Sequence, residues 1–297
     1  MSSPTLHAQL ASKRFGLVLS AGYFGFYGHA GFLQGLQDAG LSPSAYAGTS
    51  AGGMVAAYAA GGMEVQRLQG LLLEQTRAHF WDPDPVGVLR AALPGGAGAT
   101  GLLKGQRFRR LLEQTLPVDR FERLPHPLVL VGANLTRGRP EVFTQGELAP
   151  RVHATCAYPG LFRAVRLGED LYWDGGLVDK APALALQESA AGAGLEALLV
   201  HYLPSRQGAR LGGPFAYAQG IAAGNLALRH DHFRLQLALL AARGVAVHVV
   251  VSHLPAVSPK RLEQGRLAMQ QAREALRRAL AEPPRSLDEG LAQGARG

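Results

Sequence analysis

The chain has 297 residues, enough to bury a sizeable core without staples, and its only cysteine is Cys156, so no disulfide can form within it. Lys and Arg number 30 against 22 Asp and Glu, a net charge of +8, and every base except Lys13, Lys104, Lys180 and Lys260 is Arg. That excess suits anionic partners, yet no basic stretch is interleaved with aromatics, which argues against nucleic acid. The first fourteen residues, "MSSPTLHAQLASKR", lack the apolar run of a secretory signal and read as a flexible segment. No stretch is long, apolar and uncharged enough to span a bilayer, so a soluble, cytoplasmic protein is expected.

"FGLVLS" (Phe15 to Ser20) is a short apolar run ending in glycine-rich sequence, as a buried parallel strand does. From His29 to Gly40, apolar residues recur at helical spacing and Gly40 stands where a helix stops. A second strand, Ala45 to Gly48, precedes a helix of small residues, Ala51 to Ala60. Strand, helix, strand, helix is the alternation of an α/β fold on a parallel sheet. Val65 to Phe80 reads as an amphipathic helix. Residues 82 to 104, around "LPGGAGATG", read as a flexible loop or lid. Gln106 to Leu116 follows as a helix. Further strands are expected at Pro127 to Leu135, Leu195 to Leu203 and Gly244 to Val251, and further helices around Ala218 to Arg243 and Pro259 to Leu280. The residues after Pro283 read as a disordered tail, and residues 15 to 282 as one domain.

Three segments carry candidate chemistry. In "AYAGTSAGGM", Ser50 sits between Gly48 and Gly52 at a strand-to-helix junction. Such a turn projects a hydroxyl above the carboxyl edge of the sheet, with a helix N-terminus aimed at the spot. Ser50 as a simple helix N-cap explains the same residues. Upstream, "LVLSAGYFGFYGHAGFLQGL" places a glycine-bearing loop between a strand and a helix, where successive N–H groups can cradle an anion. Gly22, Gly25 and Gly28 recur every third residue, which is not the dinucleotide fingerprint. Downstream, in "LYWDGGLVDKAPALAL", Asp174 follows a short strand and precedes Gly175 and Gly176, as in an Asp-Gly hairpin or an exposed catalytic turn. A serine nucleophile needs a base and an oxyanion hole. His201, His230, His232, His248 and His253 are all available as bases, so a Ser-His-Asp esterase using Asp174 and His253 stays open. No His, Cys or Asp cluster has metal-ligand spacing, and neither metal nor cofactor is expected.

Together these motifs resemble the patatin-like phospholipase family, with "GTSAG" as its nucleophile elbow and "DGG" as its aspartate motif. "ATCAYPGLF" and "GLLKGQRFRRLLEQTL" resemble two further family segments, and the likeness runs in order over about residues 15 to 190. The resemblance implies a three-layer α/β/α fold with a mainly parallel central sheet. It implies a Ser50–Asp174 dyad without histidine, and an oxyanion loop at Gly22, Tyr23, Phe24 and Gly25. Its expected substrates are acyl esters of phospholipids or related lipids, reached through peripheral contact with an anionic membrane. One departure stands out: the family's loop reads Gly-Gly-Gly-x-Arg-Gly, whereas here it is Ser20-Ala21-Gly22-Tyr23-Phe24-Gly25. Phe24 replaces the arginine, which leaves open a weak or inactive lipid-binding protein on the same scaffold.

Overall fold

The structure, a computed structural model, describes residues 4–91, 100–205, 216–258, 261 and 263–293. Ten strands are present among these residues: β1 (Phe15–Leu19), β2 (Ala45–Gly48), β3 (Gly101–Leu103), β4 (Leu128–Asn134), β5 (Arg139–Phe143), β6 (Gly160–Phe162), β7 (Val165–Leu167), β8 (Asp170–Asp174), β9 (Ala197–Tyr202) and β10 (Ala246–Val251). The main sheet runs β10-β9-β1-β2-β4-β8-β7, with β5 also paired to β4. Its first five strands are parallel, whereas β5, β7 and β8 join antiparallel. β3 and β6 form a small parallel sheet of their own.

The apolar runs of β1, β2, β4 and β9 are buried along their whole length because both faces of the sheet are covered. Alternation divides them: Leu17, Leu19 and Leu199 face one layer, and Val18, Ala47 and Val200 the other. The first layer holds the helices Phe26–Asp38, Ala51–Ala60 and Gln264–Ala281, and the second holds Ala183–Glu188 and Ala216–Ala242. The result is three layers, α/β/α. No described helix is long and apolar enough to cross a membrane.

Several expectations need correction. The segment before residue 15 is not a loose end: Thr5 caps a helix at Leu6–Ala11, whose Leu6 and Leu10 are buried, and the Leu6 N–H donates to Glu282 O. Beyond Pro283, a helix at Leu287–Gln293 buries Leu287 in the second layer. The expected helix from Val65 to Phe80 breaks into Val65–Glu74 and Arg77–Phe80, because Gln75 is extended and the Thr76 N–H donates to His79 Nδ1. The expected loop at 82–104 contains a helix at Pro85–Ala91 and strand β3, while 92–99 lie outside the described residues.

Candidate active site

β1 and β2 end side by side, with Leu19 opposite Gly48, so the loops that follow them share one edge of the sheet. β4 and β8 complete that edge, with Gly132 opposite Asp174. Residues 20–25, 49–51 and 174–176 therefore converge at the carboxyl ends of the parallel strands, where crevices form in open α/β sheets.

Ser50 has φ 57° and ψ −129°, and it shares a positive φ with only one other described non-glycine residue, Phe24. Both lie in this crevice. Such backbone costs about 1–3 kcal/mol and persists only where the surroundings hold it. Those surroundings are specific. The Ser50 N–H donates to Thr155 Oγ1 at 3.1 Å, and the Thr155 hydroxyl donates in turn to Val131 O on β4. The Cys156 thiol donates to Ser50 O at 3.2 Å. Gly52 sits against β1 so closely that a Cβ there would lie 2.2 Å from Leu19 O. The serine is thus not merely a helix cap, since its hydroxyl makes no capping bond.

The Ser50 hydroxyl donates instead to Asp174 Oδ2 at 2.6 Å, and the other carboxylate oxygen accepts the Gly176 N–H at 2.7 Å. Asp174 is only 3% exposed. Burial pushes its carboxyl up to about 6, against the opposing pull of the Ser50 and Gly176 hydrogen bonds and the Arg229 charge. The result is a buried carboxylate far more basic than a free one yet still ionised at neutral pH. Burial, with Asp174 nearby, also holds the Cys156 thiol well above its usual range, so the thiol is protonated and serves as a donor.

In the loop expected to cradle an oxyanion, one residue departs from expectation. The Gly25 N–H donates to Gly22 O at 2.9 Å and has nothing left for a ligand; Gly25 acts as the residue before the Phe26–Asp38 helix. The N–H groups of Gly22, Tyr23 and Phe24 have no acceptor among the described residues. Ser20 and Ala21, which stand in for glycines, are anchored. The Ser20 hydroxyl accepts the Leu203 N–H at 2.8 Å, and the Ala21 N–H donates to Lys180 O at 2.7 Å.

No histidine hydrogen-bonds Ser50 among the described residues. His253 also lines the cavity, but its ring nitrogen meets Gly290 O at 3.4 Å. His230 bonds Tyr202, and His232 contacts Gln236. His248 is buried beside β9. His201 belongs to a chain whose proton positions are fixed. His29 Nε2 faces Ser20 O at 2.8 Å, so it must carry a proton. Burial lowers His29 to about 4 and holds His201 well below its usual value, leaving both neutral. His29 Nδ1 is then bare and accepts from His201 Nδ1 at 2.9 Å, and His201 Nε2 accepts from the Ser252 hydroxyl at 2.9 Å. The pair braces the loop at Ser20 and is not available as a base.

Ser50 and Asp174 open onto a cavity of about 960 Å³. Met54, Leu71, Leu72, Phe80, Phe108 and Leu161 give it an apolar wall that suits an acyl chain. Two contributors stand outside the expected site residues. Thr155 lies in a run of small residues, and Arg229 lies in the middle of the Ala216–Ala242 helix, where its guanidinium donates to Gly176 O at 2.7 Å. Thr155→Val would leave the Ser50 N–H without its acceptor, which costs about 1–3 kcal/mol. We expect a lower melting temperature together with a fall of about tenfold in turnover; thermal unfolding and steady-state assays check it, and wild-type values in both would remove Thr155 from this role.

The patatin-like phospholipase family model matches residues 17–186, more than half of the chain. An uncharacterized NTE family protein of Mycobacterium bovis is 29% identical over 178 residues, 60% of this chain and 29% of that one. Patatin-like phospholipase domain-containing protein 6 of Mus musculus is 26% identical over 176 residues, 59% of this chain and 12% of that protein. The chain thus spans less than a third of these relatives' length. Among solved structures, VipD from Legionella pneumophila aligns with a TM-score of 0.49 at 15% identity, covering 91% of this chain and 67% of that one. ExoU of Pseudomonas aeruginosa in complex with SpcU aligns at 0.41 and 18%, covering 94% and 53%. These two likenesses are too loose to add to what the strands themselves show. On the family match, which takes in both the GTSAG elbow and the DGG turn, the chain belongs to the patatin-like phospholipase family.

Proposed function

We propose that this protein is a serine acyl hydrolase that cleaves acyl esters of lipids through a Ser50–Asp174 dyad. The observation that carries the reading is the 2.6 Å hydrogen bond from the Ser50 hydroxyl to a buried Asp174 at the wall of an apolar cavity. Ser50 Oγ attacks the acyl carbonyl while its proton passes to Asp174 Oδ2. Negative charge gathers on the carbonyl oxygen, where the free N–H groups of Gly22, Tyr23 and Phe24 stabilise it. Asp174 returns the proton to the departing alcohol and leaves an acyl ester on Ser50. Water, deprotonated by Asp174, then releases the fatty acid.

Phe24 does not weaken this reading on chemical grounds, because the donor at that position is its backbone N–H. Tyr23 and Tyr158, 66% and 46% exposed, line the same cavity, and with the net charge of +8 they support contact with an anionic lipid surface. A fluorophosphonate probe tests the nucleophile on the native chain. Peptide mass mapping should find one adduct, on Ser50. Complete lack of labelling would favour a lipid-binding protein without turnover, and an adduct elsewhere would overturn the assignment.

A further inference from the structure

Besides Ser50 and Asp174, the cavity holds a second polar group. Arg229 and Ser205 line it, and Lys180 lies behind them at 1% exposure. Arg229 Nη2 donates to Ser205 Oγ at 3.1 Å, and Lys180 Nζ donates to the same oxygen at 2.8 Å. Lys180 Nζ also sits 4.5 Å from the centre of the Tyr202 ring.

Neither cation forms a salt bridge among the described residues. The nearby carboxylates take their hydrogen bonds from other groups, although Arg229 feels the Asp174 charge. Asp179 accepts from Gln236 and the Ala181 N–H, and Asp174 accepts from Ser50 and Gly176.

Donors therefore outnumber acceptors here. A hydroxyl oxygen has two lone pairs and one proton. With Lys180 as an ammonium, both lone pairs of Ser205 are taken by cations, its own O–H points away, and it has no acceptor among the described residues. Arg229 Nε is buried and without a partner. Two positive charges converging on one neutral oxygen in a poorly solvated site repel each other unless an anion joins them. Burial and the Arg229 charge hold Lys180 down to about 7, the response of an ammonium that lacks a counter-ion.

We propose that Arg229, Ser205 and Lys180 form an anion subsite of the catalytic cavity that takes a phosphate group. A tetrahedral anion offers oxygens in several directions, matching donors that come from a helix, a loop and the segment after β8. Within the hydrolase reading on which this rests, the phosphate is the phosphodiester of the substrate lipid. The subsite then selects phospholipids over neutral acylglycerols, and Arg229, through Gly176, ties headgroup recognition to the Asp174 turn. Free phosphate presents the same chemistry.

The test uses the full chain, Lys180→Met and Ser205→Ala; the second removes no charge and changes volume little, so it remains informative if the first fails to fold. Two readouts are needed. One is the ratio of kcat/KM for phosphatidylcholine over diacylglycerol with the same acyl chains, which should fall about ten- to a hundredfold in each variant. The other is the rise in melting temperature produced by inorganic phosphate, which should be present in the wild type and lost in the variants. Loss of both supports the lipid phosphodiester. Loss of the phosphate shift with an unchanged ratio supports a subsite for the free ion. An unchanged ratio with no phosphate shift in the wild type overturns the subsite. If the wild type cleaves neither lipid, the hydrolase reading fails, and the thermal readout still decides for or against the anion subsite.

Discussion

Asp174→Asn should lower lipid-ester turnover by about 10²–10⁴-fold and yet raise thermal stability above pH 6. The two effects share one cause. Burial lifts the Asp174 carboxyl from the ordinary 3.8 to about 6, so holding it ionised at pH 8 costs the fold about 3 kcal/mol. The sign follows from the direction of the shift. A raised carboxyl favours the folded state fully below the unfolded value, and that contribution is lost as pH rises through about 6. Asn keeps an oxygen for the Gly176 N–H and an amide for the Ser50 oxygen, but it has no charge to desolvate. Its melting temperature should therefore exceed the wild type's at pH 8 and match it near pH 4. Wild-type turnover should climb tenfold per pH unit up to about pH 6 and then level, because only the ionised carboxyl accepts the Ser50 proton. Ser50→Ala should lose turnover to a similar extent. An Asn variant that turns over within tenfold of the wild type, or a gain in stability that ignores pH, would remove Asp174 from the role of base.

The parallel half of the fold is legible from sequence because its strands carry continuous apolar runs, "FGLVL" and "LVLVGA" among them, each buried on both faces. The antiparallel half is legible only at the strand that ends in Asp174. "RPEVF" is largely exposed, so β5 shows no apolar run, and β7 is only three residues long, as is β6 in the small parallel sheet. The terminal helices were invisible for a related reason: Leu6, Leu10 and Leu287 are few, and they acquire a buried face only through contact with residues distant in the chain. At the site, Ser50 and Asp174 stand out because tight turns require glycine beside them. Thr155, although it falls within "ATCAYPGLF", and Arg229 do not stand out as individual residues, since a hydroxyl and a guanidinium that brace a backbone need no particular neighbours. The amide of Gly25 shows the limit most sharply, because only the loop's own hydrogen bond to Gly22 O removes it from the set of free donors.

Gly175→Ala should be among the most damaging single methyls at the described glycines. A Cβ at that position would lie 1.9 Å from Val131 O and 2.6 Å from its carbonyl carbon, both in the backbone of β4, and 2.8 Å from Thr49 Cγ2. No side-chain rotation relieves a collision with a central strand; the turn after β8 must lift off β4. That movement pulls Asp174 from Ser50, and Val131 O is also the acceptor that holds Thr155 under the Ser50 N–H. We expect a loss above about 4 kcal/mol, read as a large fall in melting temperature or in soluble yield, together with loss of fluorophosphonate labelling in any protein that remains folded. Gly70→Ala is the matched control. It lies within the Val65–Glu74 helix with nothing within 4 Å of the added carbon, so it should gain up to about 1 kcal/mol from helix propensity alone. The same chemical change thus carries opposite signs at two positions, because one methyl meets open space and the other meets the strand beside which Asp174 and Thr155 are held. A Gly175→Ala protein within about 1 kcal/mol of the wild type would show that the dyad does not depend on that contact.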